Sequence, residues 1–493
     1  MKPFPALVIP VVCLTSMTAL RGAEPTGTSS KPNIIIILAD DMGYGDVRCN
    51  NPAGLTPTPA IDHLAKEGVR FTDAHSGGAV CTPTRYGIMT GQHMWRTPAG
   101  HAVLMPYEKP IVARDRLTIA EMLRRQGYAT ACIGKWHLGF KYPNKKNFGG
   151  DFTSNETHID FTKPLDDGPM VHGFDFFFGG AGCPSSDPPY AFIRGDRTLG
   201  IPDRLSPDEW NVLPGFYPGL IAPGWTIETV DETLTRQAVS YIESRAADQT
   251  GKPFFLYFAL STPHVPWVAP AFIRGTSKEG PRGDMNALAD WAVGQVYESL
   301  RKHGLLDRTL LIFSSDNGPD GRGQNGHDST GGFRGAKNSP YEGGHREPFV
   351  ARWPERIAAG RVSDATISLT DLMATLAELT GFTLPDNAAE DSFSFLPALL
   401  GTGECQPNPG MINDTRKGDL ALRCGRWKYI SHVDLTTGKE AKRELFDLAD
   451  DPRETKDLIE LKPDLAERLA RHLNRLRQVG ARFIVPPTDL YQE

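Results

Sequence analysis

The stretch Asn33–Asp46, "NIIIILADDMGYGD", decides the fold. Ile34 to Leu38 form a continuous apolar run. It is too short for a helix and lacks the alternation of a one-sided strand, so it reads as a central strand of a parallel sheet buried on both faces. The run stops at Asp40 and Asp41. The same grammar recurs three times. "YATACIGKWHLG" runs through Ala131 and Ile133 and stops at Lys135 and His137; "PFFLYFALSTPH" runs from Phe254 to Leu260 and stops near His264; "TLLIFSSDNG" runs from Leu310 to Phe313 and stops at Asp316 and Asn317.

Helical patterns separate these strands. "TPAIDHLAKEG" places Pro59 at a first helical position and Gly68 as the stop. In "LTIAEMLRRQG" the spacing predicts a capping box between Thr118 and Glu121, a staple between Leu117 and Met122, and an end at Gly127. Thr226 to Arg245 carries apolar residues at helical spacing. Strands alternating with helices predict an α/β fold: a large, mostly parallel sheet flanked by helices, with ligands bound beyond the carboxyl ends of the strands. The polar stops then gather along one edge. Asp40, Asp41, Asp316 and Asn317 would repel one another there unless a cation neutralised them, and oxygen donors alone favour calcium or magnesium over zinc.

The chain has 493 residues, 40% hydrophobic and 23% charged, enough for a large core and more than one domain. A formal charge of -6 speaks against a nucleic-acid or anionic-membrane partner. Residues 1–23 combine Lys2, an apolar stretch and a small-residue exit near Gly22 and Ala23, the pattern of a signal peptide for a secreted or periplasmic protein with no transmembrane anchor after removal. Cys13 lies in that leader. With Cys81 set aside, Cys49, Cys132, Cys183, Cys405 and Cys424 remain, an odd number; Cys405 with Cys424 is a possible disulfide, and Cys132 reads as a core residue. Beyond about residue 400, "LALRCGRWKYISHV" and "RELFDLAD" read as antiparallel strands and "PDLAERLARHLNRLRQVG" as an amphipathic helix burying Leu465, Leu469, Leu473 and Leu476. The division is therefore a catalytic domain over 31–400 and a smaller C-terminal α+β subdomain with an antiparallel sheet over 401–493.

A lone cysteine in "AVCTPTRYGIMTG", Ala79–Gly91, has no partner for a redox pair or zinc clip. Cys81, Pro83 and Arg85 match the C-x-P-x-R signature of type I sulfatases, in the alkaline phosphatase-like superfamily. "NIIIILADDMGYGD", "GKWHLG", "TPHVP", "SSDNG", "GAKNSPYEGG" and "ELFDLADDPRETKDL" resemble that family's landmarks in its usual order along nearly the whole mature chain. The resemblance implies that a maturation enzyme oxidises Cys81 to formylglycine, whose hydrate attacks sulfur with one hydroxyl and ejects sulfate as the carbonyl reforms. It also implies one Ca2+ per chain, Mg2+ being less suited, held by Asp40, Asp41, Asp316, Asn317 and the modified Cys81. Asp316 would also accept the nucleophile's proton. Arg85 and Lys135 would hold the diol, Lys337 would bind sulfate oxygens, His264 would protonate the leaving alcohol and His137 would act as the base.

The segment from about Tyr142 to Gly224, rich in Gly, Pro, Asp and aromatics, reads as functional loop over that edge. Trp267 would stack on a sugar or pack beneath the loop, while His101 and His172 are expected to be solvated. Asn155 and Asn413 open N-x-T sequons. "TPHVP", "GPRGDMNALADWAVGQV" and "HGFDFFFG" look most like the N-acetylgalactosamine-6-sulfatase and arylsulfatase A branches, making a sulfated carbohydrate the expected substrate. Two rival functions share this pattern: a phosphonate or phosphate ester hydrolase of the same superfamily, and a silent glycan-binding protein should Cys81 stay unmodified.

Overall fold

Strand β1, Asn33–Ala39, has every side chain buried. Ile34, Ile36 and Leu38 enter one hydrophobic core and Ile35, Ile37 and Ala39 a second on the opposite face, which is why no polar residue interrupts the run. Each such isoleucine contributes about 1.5–3 kcal/mol of burial.

The computed structural model describes residues 31–146, 156–405 and 408–487, together with Met1 and Leu490. The leader, Met1 apart, and the Asn155 sequon fall outside them. Pro32–Glu493 forms one compact unit. Its main sheet has ten strands: β1, β2 (Val69–Phe71), β3 (Ala129–Lys135), β4 (Phe176–Gly180), β5 (Ile193–Arg194), β6 (Arg197–Thr198), β7 (Phe254–Ala259), β8 (Thr309–Ser315), β9 (Phe349–Arg352) and β10 (Arg361–Ser363), in the order β10-β2-β9-β8-β1-β7-β3-β4-β5-β6. The four strands read from the sequence are its contiguous parallel centre, β8-β1-β7-β3, with Ile36 paired to Tyr257 on one side and Ile312 on the other. Their carboxyl ends therefore share one edge.

Helices α1 (Pro59–Glu67), α4 (Val230–Ala247) and α5 (Pro281–Lys302) pack into one core through Ile61, Leu234 and Val293; α2 (Cys81–Thr90), α3 (Ile119–Arg125) and α6 (Leu372–Thr380) pack into the other through Ile88, Met122 and Leu376. The amino cap of α3 is half of the predicted box. Thr118 accepts from the Glu121 amide, but the Glu121 carboxylate accepts from Arg124 and Arg125 instead of reaching back, because two cations on its own helix are closer partners.

A separate four-stranded antiparallel sheet comprises β11 (Met411–Asp414), β12 (Leu420–Cys424), β13 (Trp427–Val433) and β14 (Glu440–Asp447). It packs on α7, Pro463–Val479, through Leu465, Leu469, Leu473 and Leu476. Asn413 is 2% exposed and its amide donates to the Ser76 carbonyl at 2.5 Å, so the folded protein offers no glycan acceptor there.

Several local expectations are corrected. The segment after Tyr142 is not all loop: Phe176–Gly180 is a sheet strand parallel to β3, and Gly179 allows β3 to approach so closely that a Cβ there would meet the Gly134 carbonyl oxygen at 1.9 Å. Cys405 and Cys424 are not joined; Cys424 lies in the C-terminal core and Cys405 packs against the main one. His172 is buried against Asp167 rather than solvated. Of the two readings of Trp267 the structure shows packing, against the small cluster around Ala269, with its indole donating to the Pro263 carbonyl. Among the described residues no helix is long and apolar enough to cross a membrane.

Candidate active site

The shared edge of β8, β1, β7 and β3 brings together residues as distant as Asp41 and Asn317, 276 positions apart. Asp40 and Asp41 leave β1, and Asp41 takes a left-handed backbone (φ 69), a conformation aspartate tolerates better than most residues. This turn lets its amide donate to Asp316 Oδ1 at 3.2 Å. Asn317 donates to Asp41 Oδ1 at 2.7 Å and to the Gly318 carbonyl, which fixes the amide's orientation and points Oδ1 elsewhere. All four side chains are buried.

Cations surround them. Arg85, one turn into α2, places Nε and Nη2 at 2.9 and 2.7 Å from Asp316 Oδ2. Lys135 Nζ lies 2.5 Å from Asp40 Oδ2 and Lys337 Nζ 2.7 Å from Asp41 Oδ1. Burial works against the charge on each carboxylate. Lys135 nevertheless holds Asp40 well below its ordinary range, and Lys337 does the same for Asp41. Asp316 differs: burial, and then the Asp40 charge, push it up to about 7 against the pull of Arg85. The expected mutual repulsion of the carboxylates thus falls on Asp316.

Beside this group lies a cavity of about 440 Å3, lined by Cys81, Lys135, His137, His264 and Lys337. Cys81 is the first residue of α2, so whatever it carries faces a helix amino terminus, where unpaired amides favour an anion. Gly78 makes the approach to Cys81 feasible, since a Cβ there would sit 2.5 Å from Asp414 Oδ1. The two histidines are oppositely poised. For His264, burial alone would lower the pKa, but the neighbouring Cys183 sulfur and the Asp41 and Asp40 carboxylates raise it to about 10, against Lys337. Its Nδ1 donates to the Val265 carbonyl and its Nε2 lies 3.8 Å from Asp41 Oδ2. For His137, burial and then Lys135 lower the pKa to about 3. His137 is also left-handed (φ 56); its Nε2 donates to the Leu104 carbonyl at 2.8 Å, leaving Nδ1 buried without a partner.

Every predicted site residue is therefore in one place; Cys81, Lys135, His137, His264 and Lys337 line the cavity, whereas Asp40, Asp41, Asp316, Asn317 and Arg85 are buried beside it. The sequence reading missed Cys183, Asp187, Tyr217, Asp320 and Arg416, which line it as well. Cys183 and Asp187 lie within the Gly- and Pro-rich segment between Tyr142 and Gly224, whose spacing marks neither of them.

Two buried acceptors, Asp40 Oδ1 and Asn317 Oδ1, have no hydrogen-bond partner among the described residues. Orphaned oxygens among carboxylates fit a hard divalent cation, and Asp40, Asp41 and His264 offer ligand atoms within 4.8 Å of one another.

A family model described as Sulfatase matches residues 32–382. The chain is 34% identical to an N-acetylgalactosamine-6-O-sulfatase of Bacteroides thetaiotaomicron, covering 91% of this chain and 94% of that one, and 32% identical to arylsulfatase A of Bos taurus, covering 94% and 90%. A solved structure from work on the metabolism of multiple glycosaminoglycans by Bacteroides thetaiotaomicron superposes with a TM-score of 0.79 at 30% identity, covering 91% of this chain and 99% of its own. With its carboxylates, cations and cysteine at the carboxyl edge of a mostly parallel sheet, the chain belongs to the sulfatase family and is a sulfuric ester hydrolase.

Proposed function

We propose that the protein removes sulfate from a sulfated carbohydrate, of the galactose or N-acetylgalactosamine class, using formylglycine formed at Cys81 and one bound Ca2+. The observation that carries this reading is the single cavity joining Cys81 to a protonated histidine on one side and a neutral one on the other. The bacterial relative named for N-acetylgalactosamine 6-sulfate supports the sugar class. The leader pattern of residues 1–23 supports export to the periplasm or medium. The sheet and helix beyond residue 400 are proposed as a subdomain that helps shape the substrate site.

Asp40, Asp41, Asp316 and Asn317 would hold the cation together with the modified Cys81. A divalent cation bound there would supply positive charge to offset that of the sulfate ester. Arg85 keeps Asp316 in place with its two-pronged contact. Lys135 and Lys337 turn from the carboxylates toward the anion and neutralise charge that grows as the S–O bond breaks. His264 holds its proton at neutral pH and gives it to the departing alcohol oxygen. His137, empty at Nδ1, takes the proton of the second hydroxyl of the hydrated aldehyde, whose carbonyl then reforms as sulfate departs.

Mass spectrometry of the Cys81 peptide from protein made in its native host tests this directly. The aldehyde is expected; a thiol throughout would remove the nucleophile from the proposal. The matured protein should turn over aryl sulfates faster than aryl phosphates, and Cys81→Ala should lose at least about four orders of magnitude in turnover with an unchanged melting temperature. Faster phosphate turnover would favour a phosphate or phosphonate ester hydrolase instead.

A further inference from the structure

His264 sits on a loop, and that loop has an anchor outside the catalytic cavity. Beyond β7 the sheet ladder ends with the Leu260 amide donating to the Leu38 carbonyl at 2.9 Å. Ser261 and Thr262 follow, both fully buried. Asp231, the second residue of α4 and 2% exposed, turns both carboxylate oxygens to Ser261: Oδ1 accepts from the Ser261 amide at 2.9 Å and Oδ2 from its hydroxyl at 2.6 Å. An acidic residue in the first turn of a helix ordinarily serves that helix's own free amides. This one serves a loop 30 positions away.

Burial pushes the Asp231 carboxyl up to about 6 against the two Ser261 donors, so at neutral pH it is ionised and its bonds are charge-assisted. A buried carboxylate carries a desolvation cost that an apolar residue would not. What it secures can be followed bond by bond. The Ser261 carbonyl accepts from the His264 amide at 3.1 Å and closes a turn. His264 Nδ1 donates to the Val265 carbonyl at 2.6 Å, which ties the ring to the loop itself. Nε2, the atom that gives up the proton, is 3.8 Å from Asp41 Oδ2, too far for a hydrogen bond to hold it. The place of Nε2 is therefore set by the place of the loop. Thr262 fastens the far side: its hydroxyl donates to the Met285 carbonyl on α5, and its carbonyl accepts from the Asp40 amide at 3.1 Å.

We propose that Asp231 is a positioning residue for proton delivery, holding His264 Nε2, through Ser261, within reach of the departing alcohol oxygen. The proposal rests on His264 being the proton donor and extends that reading to a residue that touches neither substrate nor cation. A donor misplaced by about 1 Å costs about a hundredfold in rate, and the loss falls on esters whose alcohol needs the proton.

Rates of the matured protein on 4-nitrophenyl, phenyl and 4-methoxyphenyl sulfate, whose leaving groups fall in acidity in that order, test this without reference to the sugar. Asp231→Ala should lower kcat by no more than about threefold on the nitrophenyl ester and by about thirtyfold on the methoxyphenyl ester, with KM within about twofold. In a His264→Gln background the same change should cost no more than about threefold on any ester, because the donor it places is gone. Asp231→Asn keeps one acceptor oxygen and can donate to the Ser261 hydroxyl, so it should recover most of the loss. Should Asp231→Ala not fold, Ser261→Ala, which removes one of the two bonds, should show the same trend at about fivefold. A loss uniform across the series, or one that persists in full without His264, overturns the positioning role and assigns Asp231 to the cation site through the Thr262–Asp40 contact. A wild type whose rate falls as steeply with leaving-group acidity as that of His264→Gln overturns His264 as the donor instead.

Discussion

The stretch that opens the sheet supplies carboxylates to two buried clusters of similar composition and different purpose. Asp40 and Asp41 approach His264; Asp46, five residues beyond Asp41, approaches Glu279 and His327, again with ligand atoms within 4.8 Å. In the second cluster every acceptor is taken. Arg282 donates to both oxygens of Asp46 at 2.8 and 2.5 Å and to Glu279 at 2.7 Å, His327 donates to Asp46 at 2.9 Å, and Thr56 to Glu279 at 2.8 Å. A third grouping, His75, Glu342 and His345, is likewise filled by the Lys428 ammonium, 2.9 Å from Glu342 and 3.0 Å from His345. In the first cluster Asp40 Oδ1 and Asn317 Oδ1 stay unspent, and a cavity opens beside them. Clustered acid and imidazole do not by themselves make a metal site. What separates the two is whether the protein supplies its own cation to every oxygen.

Substitution should split the clusters cleanly. Asp316→Asn removes a charge that its surroundings disfavour, so turnover should fall by about three orders of magnitude, about 4 kcal/mol, while stability measured with a chelator present does not fall. The pH dependence follows from the same imbalance. With a folded pKa of about 7 against an ordinary 3.8, Asp316 costs the metal-free protein stability as pH rises through that interval. Asp46→Asn should do the reverse. Leaving Arg282 buried with half its partners should cost about 3–5 kcal/mol of stability in urea melts, with turnover per folded molecule retained. Burial opposes the Asp46 charge but Arg282 outweighs it and holds the pKa down, so this contribution is present above 3.8 and is lost as pH falls through the lowered value. Equal losses of activity from the two substitutions would erase the distinction.

Within the first cluster, the two histidines sharpen the comparison on a smaller scale. His264→Gln should lower kcat by about a hundredfold on a sugar sulfate, whose alcohol needs a proton, and by much less on an aryl sulfate with an acidic phenol. The same substitution should remove the fall in rate expected in wild type as pH rises toward 10, where His264 loses its proton. A uniform loss on both substrates would assign His264 to holding structure rather than to proton delivery.

The contrast between these clusters also marks what the sequence disclosed. The proposed site residues were legible in position, because Asp40, Lys135 and Asp316 stand at or just past the ends of mostly apolar strands, His264 follows five residues beyond one, and parallel topology forces such ends to one edge; their proposed roles came from the resemblance to sulfatase motifs. Asp46 lay in the same quoted stretch and went unread, since its partner Arg282 is 236 residues away on α5 and no periodicity links them. Phe176–Gly180 escaped as a strand because two of its five residues are glycines, which carry no strand preference but admit β3 at close range. Cavity-wall residues such as Asp187, Tyr217 and Arg416 sit on irregular backbone, where position follows from tertiary packing alone.

Cysteine chemistry gives the smallest expected effect and the last contrast between regions. None of the six described cysteines is joined in a disulfide. A bridge between Cys405 and Cys424 would close a loop worth about 3 kcal/mol and would raise the melting temperature by about 2–4 °C in a chain this large. Cys424 instead lies buried in the C-terminal core with its sulfur 3.7 Å from the Pro409 carbonyl oxygen, while Cys405 is half-buried against the main core. Adding a thiol reductant should therefore leave the thermal midpoint unchanged, and Cys405→Ser should leave it within about 1 °C, since a half-buried thiol gives up little when it becomes a hydroxyl. A reductant-dependent fall of several degrees would mean that the two cores are tied covalently, and that the C-terminal sheet is held to the catalytic body by more than the contacts of β11 with the segment leading into Cys81.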